Sequence, residues 1–279
     1  MRIVESVEQM RAICREIRQG GKRLGFVPTM GALHAGHLSL MQAARSQCAA
    51  VAASIFVNPA QFGPNEDLSK YPRNLERDRE LVEIEKIDLL FTPVAKEMYP
   101  AGAVTWVTVE GLGELLEGKT RPGHFRGVTT VVSKLFNIVE PDRAYFGQKD
   151  AQQAVIIRKM VRDLDMGVEI VVCPTMRESD GLALSSRNVY LNPEERQQAL
   201  VLYRALCRVQ ALADRGEHNA AKLREGAMKV FAEERAVRLD YFEMVDKETL
   251  EPVTDVARGA LVVTAAFVGK TRLIDNLVL

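Results

Sequence analysis

Val7, Met10, Ile13, Cys14 and Ile17 recur three or four residues apart, which puts them on one face of a helix expected over 6–19. Ser6 stands in the capping position, and Gly20-Gly21 forms the stop. An unbroken apolar run at 24–27 then reads as a strand, the glycine-rich PTMGALHAG as a turn, 37–48 as a helix and the apolar run 51–57 as a second buried strand. The alternation continues with a charged helix at 75–86, a strand at 88–91, a helix at 128–139, a strand at 144–146, a helix at 151–164 and a strand at 168–172. Short, fully apolar strands separated by helices are those of a parallel sheet covered on both faces. From Glu178 the texture changes to helices at 193–213 and 220–234, then strands at 239–245, 261–268 and 273–277. That order predicts a smaller α+β domain with antiparallel strands.

Composition adds little to this picture but excludes several roles. The 279 residues are 47% hydrophobic and 27% charged, with 37 basic residues against 37 acidic ones, so nucleic acid and anionic membrane are not expected as main partners. The opening MRIVESVEQMRAICREIRQG mixes charge among its apolar residues and does not read as a signal peptide or span. Cys14, Cys48, Cys173 and Cys207 lie far apart without a C-x-x-C pair, which fits reduced, buried thiols and a cytoplasmic location.

The candidate chemistry sits where strands turn into helices. PTMGALHAGH occupies the first such turn; its glycines let amides approach phosphate, the helix N-terminus favours negative charge, and His34 and His37 are placed to donate to a phosphoryl oxygen. A zinc pair or two surface histidines are the alternative readings. YFGQKDAQQ lies at a second turn, where Lys149 neutralises phosphate and Asp150 caps the helix or meets a ribose or cation, against the alternative of an exposed lysine in a capped turn. DGLALSSRN offers the hydroxyls of Ser185 and Ser186 and the guanidinium of Arg187 to a polyphosphate, or is a surface turn. Asn58 and Gln61 in NPAQF supply uncharged amides suited to a hydroxyl and a carboxylate. The basic, glycine-rich stretch 118–127 reads equally as a mobile wall of the site or as a solvated loop. GLGELLEG has its third glycine too late for a dinucleotide fingerprint, and VGKT lacks the first glycine and following helix of a phosphate loop.

Together PTMGALHAGH, FVNPAQF, RPGHFRGV, YFGQKDAQQ and DGLALSSRN stand in the order and spacing of the pantothenate synthetases, and the chain resembles that family along its whole length. His34-Ala35-Gly36-His37 is similar to the His-x-Gly-His signature of the nucleotidyltransferase superfamily. The resemblance implies a Rossmann-like domain over 1–175 and a smaller α+β C-terminal lid domain over 176–279, assembled as a homodimer. It implies ATP as substrate with Mg2+, and condensation of pantoate with β-alanine through a pantoyl adenylate. It assigns Met30, Gly31, His34, Gly36, His37, Gly147, Gln148, Lys149, Asp150, Met176, Leu184, Ser185, Ser186 and Arg187 to ATP. Among these His34, His37, Lys149 and Arg187 carry the catalysis, while Gln61, Gln153 and Asn58 hold pantoate or β-alanine and Asp78 helps place Mg2+. Gln148 departs from the glutamate that many relatives carry. A nucleotidyltransferase that keeps the nucleotide in its product, a non-catalytic nucleotide sensor and a class I tRNA synthetase fragment are the rivals; the last lacks its Lys-Met-Ser-Lys-Ser segment.

Overall fold

The structure, a computed structural model, describes every residue except Asn65 and Asp67. The chain divides into two compact units, Met1–Gly147 with Gln152–Pro174, and Thr175–Leu279 with the short excursion Gln148–Ala151.

The larger unit contains β1 (Arg2–Val4), α1 (Val7–Gln19), β2 (Leu24–Thr29), α2 (Ala35–Gln47), β3 (Ala50–Ile55), α3 (Leu75–Ile84), β4 (Leu89–Phe91), the short helices α4 (Ala95–Met98) and α5 (Glu117–Thr120), α6 (His124–Val139), β5 (Arg143–Gly147), α7 (Ala151–Asp163) and β6 (Glu169–Cys173). Its six strands are all parallel, in the order β1-β4-β3-β2-β5-β6. Strand alternation divides the side chains between two cores. Leu24 and Phe26, Ala50 and Ala52, Leu89 and Phe91, and Ala144 and Phe146 pack with residues of α1, α6 and α7. Val27, Val51 and Ala53, Leu90 and Tyr145 point the other way, against Leu40, Met41 and Ala44 of α2 and Val82 of α3. Burial on both faces is why these strands read as continuous apolar runs. From β2 the chain builds β3 and β4 on one side, then returns to place β5 and β6 on the other. The order therefore reverses between β2 and β5, and in an open parallel sheet the crevice outside the carboxyl ends at that point receives the ligand.

The smaller unit holds α8 (Pro193–Gln198), α9 (Leu200–Ala213), α10 (Ala220–Glu233) and an antiparallel sheet of β7 (Val237–Val245), β8 (Leu261–Val268) and β9 (Thr271–Val278). Leu202, Leu206 and Val209 of α9 and Leu223 and Ala227 of α10 cover Phe242, Met244, Val262 and Ala266 of the sheet.

Four expectations need correction. β1 is a strand that the apolar pattern did not announce; its three residues pair with β4, and only Val4 is buried. The helix expected over 193–213 is two, α8 and α9, meeting at Ala199, which ends one and begins the other. The stretch 118–127 is folded structure rather than a solvated loop, since α6 begins at His124 behind Gly123 in the left-handed region (φ 81°) and His124, Phe125 and Gly127 are buried. Cys207 is exposed; the other three cysteines are buried, and all four are free. Neither discarded motif forms a phosphate loop. A Cβ on Gly118 would lie 2.1 Å from the Gly113 carbonyl oxygen, so GLGELLEG uses that glycine for close backbone packing, and 268–271 is the turn between β8 and β9.

Candidate active site

The turn after β2 is held from below and from the side. The Thr29 hydroxyl donates to the Ser54 carbonyl at 2.7 Å and accepts the Gly31 N–H at 3.2 Å, tying the turn to β3. Gly31 and Ala32 both take left-handed backbone, with φ of 81° and 50°. That conformation turns successive amides one way: Ala32 and Leu33 donate to the two carboxylate oxygens of Asp78, each at 2.9 Å. Asp78 is only 2% exposed, in the first turn of α3. Two amide donors on a buried carboxylate make strong, charge-assisted bonds that offset its desolvation. A side chain at position 31 would displace this clamp, because a Cβ there would sit 2.8 Å from Asp78 Oδ2.

Beyond the turn the two histidines form a reciprocal cap on α2. His34 Nδ1 accepts the Gly36 N–H at 3.2 Å, and His37 Nδ1 accepts the His34 N–H at 3.3 Å. The rings lie 4.1 Å apart, tilted by 48°. An imidazole nitrogen that accepts carries no proton, so each neutral ring keeps its hydrogen on Nε2. The cap thus fixes both the orientation and the tautomer of two donors at the N-terminus of a helix, where the amides already favour an anion.

The NPAQF turn follows β3. Buried Asn58 donates to Gln61 Oε1 (3.0 Å) and to the Gly127 carbonyl (3.1 Å), and its own oxygen accepts from Ala60 N–H (3.3 Å) and the Tyr99 hydroxyl (2.8 Å). With every valence of its amide used inside the protein, Asn58 is a scaffold of the turn. Among the described residues Gln61 Nε2 meets only the thioether of Met30, at 3.0 Å, a weak acceptor that a ligand carboxylate would replace with gain. The RPGHFRG segment holds the backbone beneath it. Arg121 Nη1 donates to His124 Nε2 (3.1 Å), so His124 Nδ1 carries the proton and donates to the Gln61 carbonyl (2.8 Å). Burial, aided by the neighbouring Arg121 charge, pushes the His124 imidazole down to about 4. Burial raises the Glu66 carboxyl, but its bonds to Arg121 at 3.0 and 2.5 Å outweigh that and leave it below its ordinary value.

Gly147 ends β5 in the larger unit, and Gln148, Lys149 and Asp150 form the turn that follows. Lys149 Nζ lies 3.8 Å from Asp150 Oδ1, with the lysine side chain largely buried. Asn276 of β9 donates to the carbonyls of both Gln148 and Lys149 at 2.9 Å and accepts from Gln148 Nε2 at 2.9 Å. In α7, Gln152 bonds to Leu112, Leu115 and Glu117 backbone, while the side chain of half-buried Gln153 makes no hydrogen bond among the described residues.

In the smaller unit, residues 176–184 form a hairpin closed by the Leu184 N–H to the Met176 carbonyl (3.0 Å) and the Arg177–Ala183 bridge. Ser185 then caps the turn of Ser186–Tyr190 by accepting the Arg187 N–H at 3.2 Å. Met176 is exposed, and Leu184, Ser185, Ser186 and Arg187 are half-buried.

Within the larger unit the structure therefore brings together Met30 with Gln61 and Asn58, and Gly31, His34, Gly36 and His37 along one clamped turn. Within the smaller it joins Gln148, Lys149 and Asp150, and separately Met176, Leu184, Ser185, Ser186 and Arg187. Asp78, expected beside Mg2+, serves as the clamp of the first turn. Of the residues that build this frame, Thr29, Arg121 and His124 lie inside segments that the sequence singles out but carry no role of their own there, while Asp275 and Asn276 give no signal beyond being polar; buried polar side chains are visible only in the fold.

The family described as pantoate-beta-alanine ligase matches residues 2–278. Curated relatives include pantothenate synthetase of Koribacter versatilis, 59% identical over 100% of this chain and 96% of the relative, and that of Thermotoga neapolitana, 56% identical over the whole of both. Among solved structures, pantothenate synthetase from Thermus thermophilus superposes with a TM-score of 0.95 at 51% identity, covering 99% of each chain. The pantoate-beta-alanine ligase of Francisella tularensis, solved with beta-gamma ATP and beta-alanine, gives a TM-score of 0.80 at 36% identity over 99% of this chain and 97% of that one.

Proposed function

The chain belongs to the pantoate-beta-alanine ligase family, and from that membership and the geometry of its turns we propose that it condenses pantoate with β-alanine at the expense of ATP, through a pantoyl adenylate. The pantoate carboxylate attacks the α-phosphorus of ATP, the bond to the β-phosphate oxygen breaks, and diphosphate leaves. The β-alanine amine then attacks the acyl carbon of the mixed anhydride, AMP departs with the bonding pair, and the amine loses a proton. The observation that carries this reading is the reciprocal histidine cap: two imidazoles locked as Nε2–H donors at a helix N-terminus suit the charge that grows on phosphoryl oxygens during transfer.

The remaining roles are those that membership of the family implies, each consistent with the chemistry of its side chain. His34 and His37 donate to the phosphoryl oxygens, with the Met30, Gly31 and Gly36 backbone beside them. Lys149 and Arg187 neutralise phosphate charge, with Gly147, Gln148, Asp150, Ser185 and Ser186 contributing polar contacts, and Met176 and Leu184 offer apolar surface to adenine. Gln61 and Gln153 hold pantoate, on the support that among the described residues neither amide nitrogen has a strong acceptor, while Asn58 shapes the floor beneath Gln61. Among the described residues no group of three or more His, Cys, Asp or Glu side chains could hold a metal ion, and both Asp78 oxygens bond to amides. The donor set does not fit a resident Mg2+, so the ion would enter with the phosphates of ATP.

We further propose a homodimer in the cytoplasm. The dimer is supported by the stretch 103–109, outside any helix or strand, where Val104 is 81% and Trp106 43% exposed, and the location by the free thiols. The test of mechanism is isotope exchange. Labelled diphosphate is expected to enter ATP when pantoate is present and β-alanine absent; no exchange, with pantothenate still formed in the complete mixture, would exclude the adenylate.

A further inference from the structure

β9 carries two consecutive polar residues that are almost wholly buried, Asp275 and Asn276, each 4% exposed. Neighbours on a strand point to opposite faces, and these two reach different segments of the chain. Asp275 accepts from Arg177 through both oxygens, at 2.6 and 2.9 Å, and its Oδ1 also accepts the Asn276 N–H at 2.7 Å. Arg177 in turn donates to the Gly181 carbonyl at 3.1 Å and lies over the Tyr203 ring at 4.6 Å. This fixes the root of the hairpin from which Ser185, Ser186 and Arg187 emerge. Asn276 uses both amide hydrogens and its oxygen on Gln148 and Lys149, which fixes the root of the lysine.

Stability alone gives little reason for such a pair. A buried bidentate ion pair is about neutral against well-packed apolar residues of the same volume, and a buried amide costs desolvation unless every valence is met. Here the valences are met by the two segments assigned to phosphate in the preceding section, and the pair is satisfied only when both are in place. We propose that Asp275 and Asn276 are positioning residues for the ATP triphosphate, holding the Lys149 turn and the Ser185–Arg187 turn in register with one another from a single strand. The inference rests on the assignment of Lys149 to ATP.

The experiment is a double-mutant cycle on the full chain with Asn276→Ala and Lys149→Ala, supported by the isosteric Asp275→Asn. Asn276→Ala and Asp275→Asn are each expected to raise the KM for ATP by about tenfold while the KM for pantoate stays within about twofold. Lys149→Ala is expected to remove most diphosphate exchange. Once lysine is absent, adding Asn276→Ala is expected to change ATP use little, because the two act as one unit. Additive losses, or equal losses for ATP and pantoate in Asp275→Asn, would overturn the inference while leaving the reading of Lys149 standing. Undiminished ATP use in Lys149→Ala would remove that reading and the inference with it. Asp275→Asn keeps the shape of the strand, so the outcome remains readable even where Asn276→Ala does not fold.

Discussion

Gln152 and Gln153 are adjacent in α7, and the bonds around them give opposite consequences on truncation. Gln152→Ala leaves the Glu117 N–H without its side-chain acceptor, removes the Gln152 donor from the Leu112 carbonyl and takes one of two donors from the Leu115 carbonyl, which keeps the Gly118 N–H; the loss is expected to cost about 1–3 kcal/mol in chemical denaturation. Gln153→Ala removes no side-chain hydrogen bond among the described residues; its unfolding midpoint is expected to match the parent while the KM for pantoate rises about tenfold. A stability loss for Gln153→Ala as large as for Gln152→Ala would place both in the scaffold. The sequence distinguishes the pair only through family resemblance, since composition and spacing treat them alike. Cys207 is the reverse case, a residue whose exposure the helical pattern around it gives directly. Leu202, Ala205, Leu206 and Val209 form the buried stripe of α9, and a position one residue past Leu206 faces outward by helical period alone. Cys48 and Cys173 are buried, and their replacement by Ala is expected to cost about 1–3 kcal/mol of stability with turnover retained. Catalytic loss in a fully folded variant would give the thiols a role.

Among the elements, α2 joins structure and chemistry most closely, because its cap and its candidate catalytic donors are the same two side chains. His34→Asn separates these functions. Asparagine is a strong N-cap, so helix stability is expected to stay within about 0.5 kcal/mol, whereas adenylate formation falls by about a hundredfold with the imidazole gone. Near-parent exchange in that variant would reduce His34 to a cap. Asp78→Asn changes one acceptor into a donor facing a backbone N–H, and is expected to lower stability by about 1–3 kcal/mol and to slow adenylation, both read on one preparation. The turn itself was legible in the sequence because glycines and histidines between a strand and a helix are a local signal. Its clamp was not, because Asp78 lies 46 residues from Ala32 and bonds to backbone, which has no letter. The same limit explains β1, too short for periodicity, and the break at Ala199, where residues of good helix propensity continue through the bend.

For the whole molecule, pH tests the frame under Gln61. The folded His124 imidazole titrates near 4 against an ordinary 6.5, so between those values the unfolded chain binds a proton that the folded chain does not. Stability is therefore unaffected by His124 above about pH 6.5, declines as pH falls from there to about 4, and loses in all about 3 kcal/mol. Thermal melts of the parent and of His124→Gln across that window check it, the variant being expected to show the flatter profile; parallel curves would mean that His124 takes up its proton normally in the fold. The alternation of strands and helices made the parallel sheet and the smaller α+β region readable at this scale. The return of four residues, Gln148–Ala151, to the second unit was not readable, since no composition marks it.

That excursion bears on how such chains recombine. The backbone passes from the first unit to the second, back, and across again after Pro174, so no single crossover transfers the second unit intact. A hybrid gene spliced at Pro174 from two diverged parents would inherit its Gln148–Asp150 turn from one and the Asp275–Asn276 pair that grips it from the other. Exchange of the carboxyl-terminal portion as a cassette is heritable in working form only when those few residues travel with it.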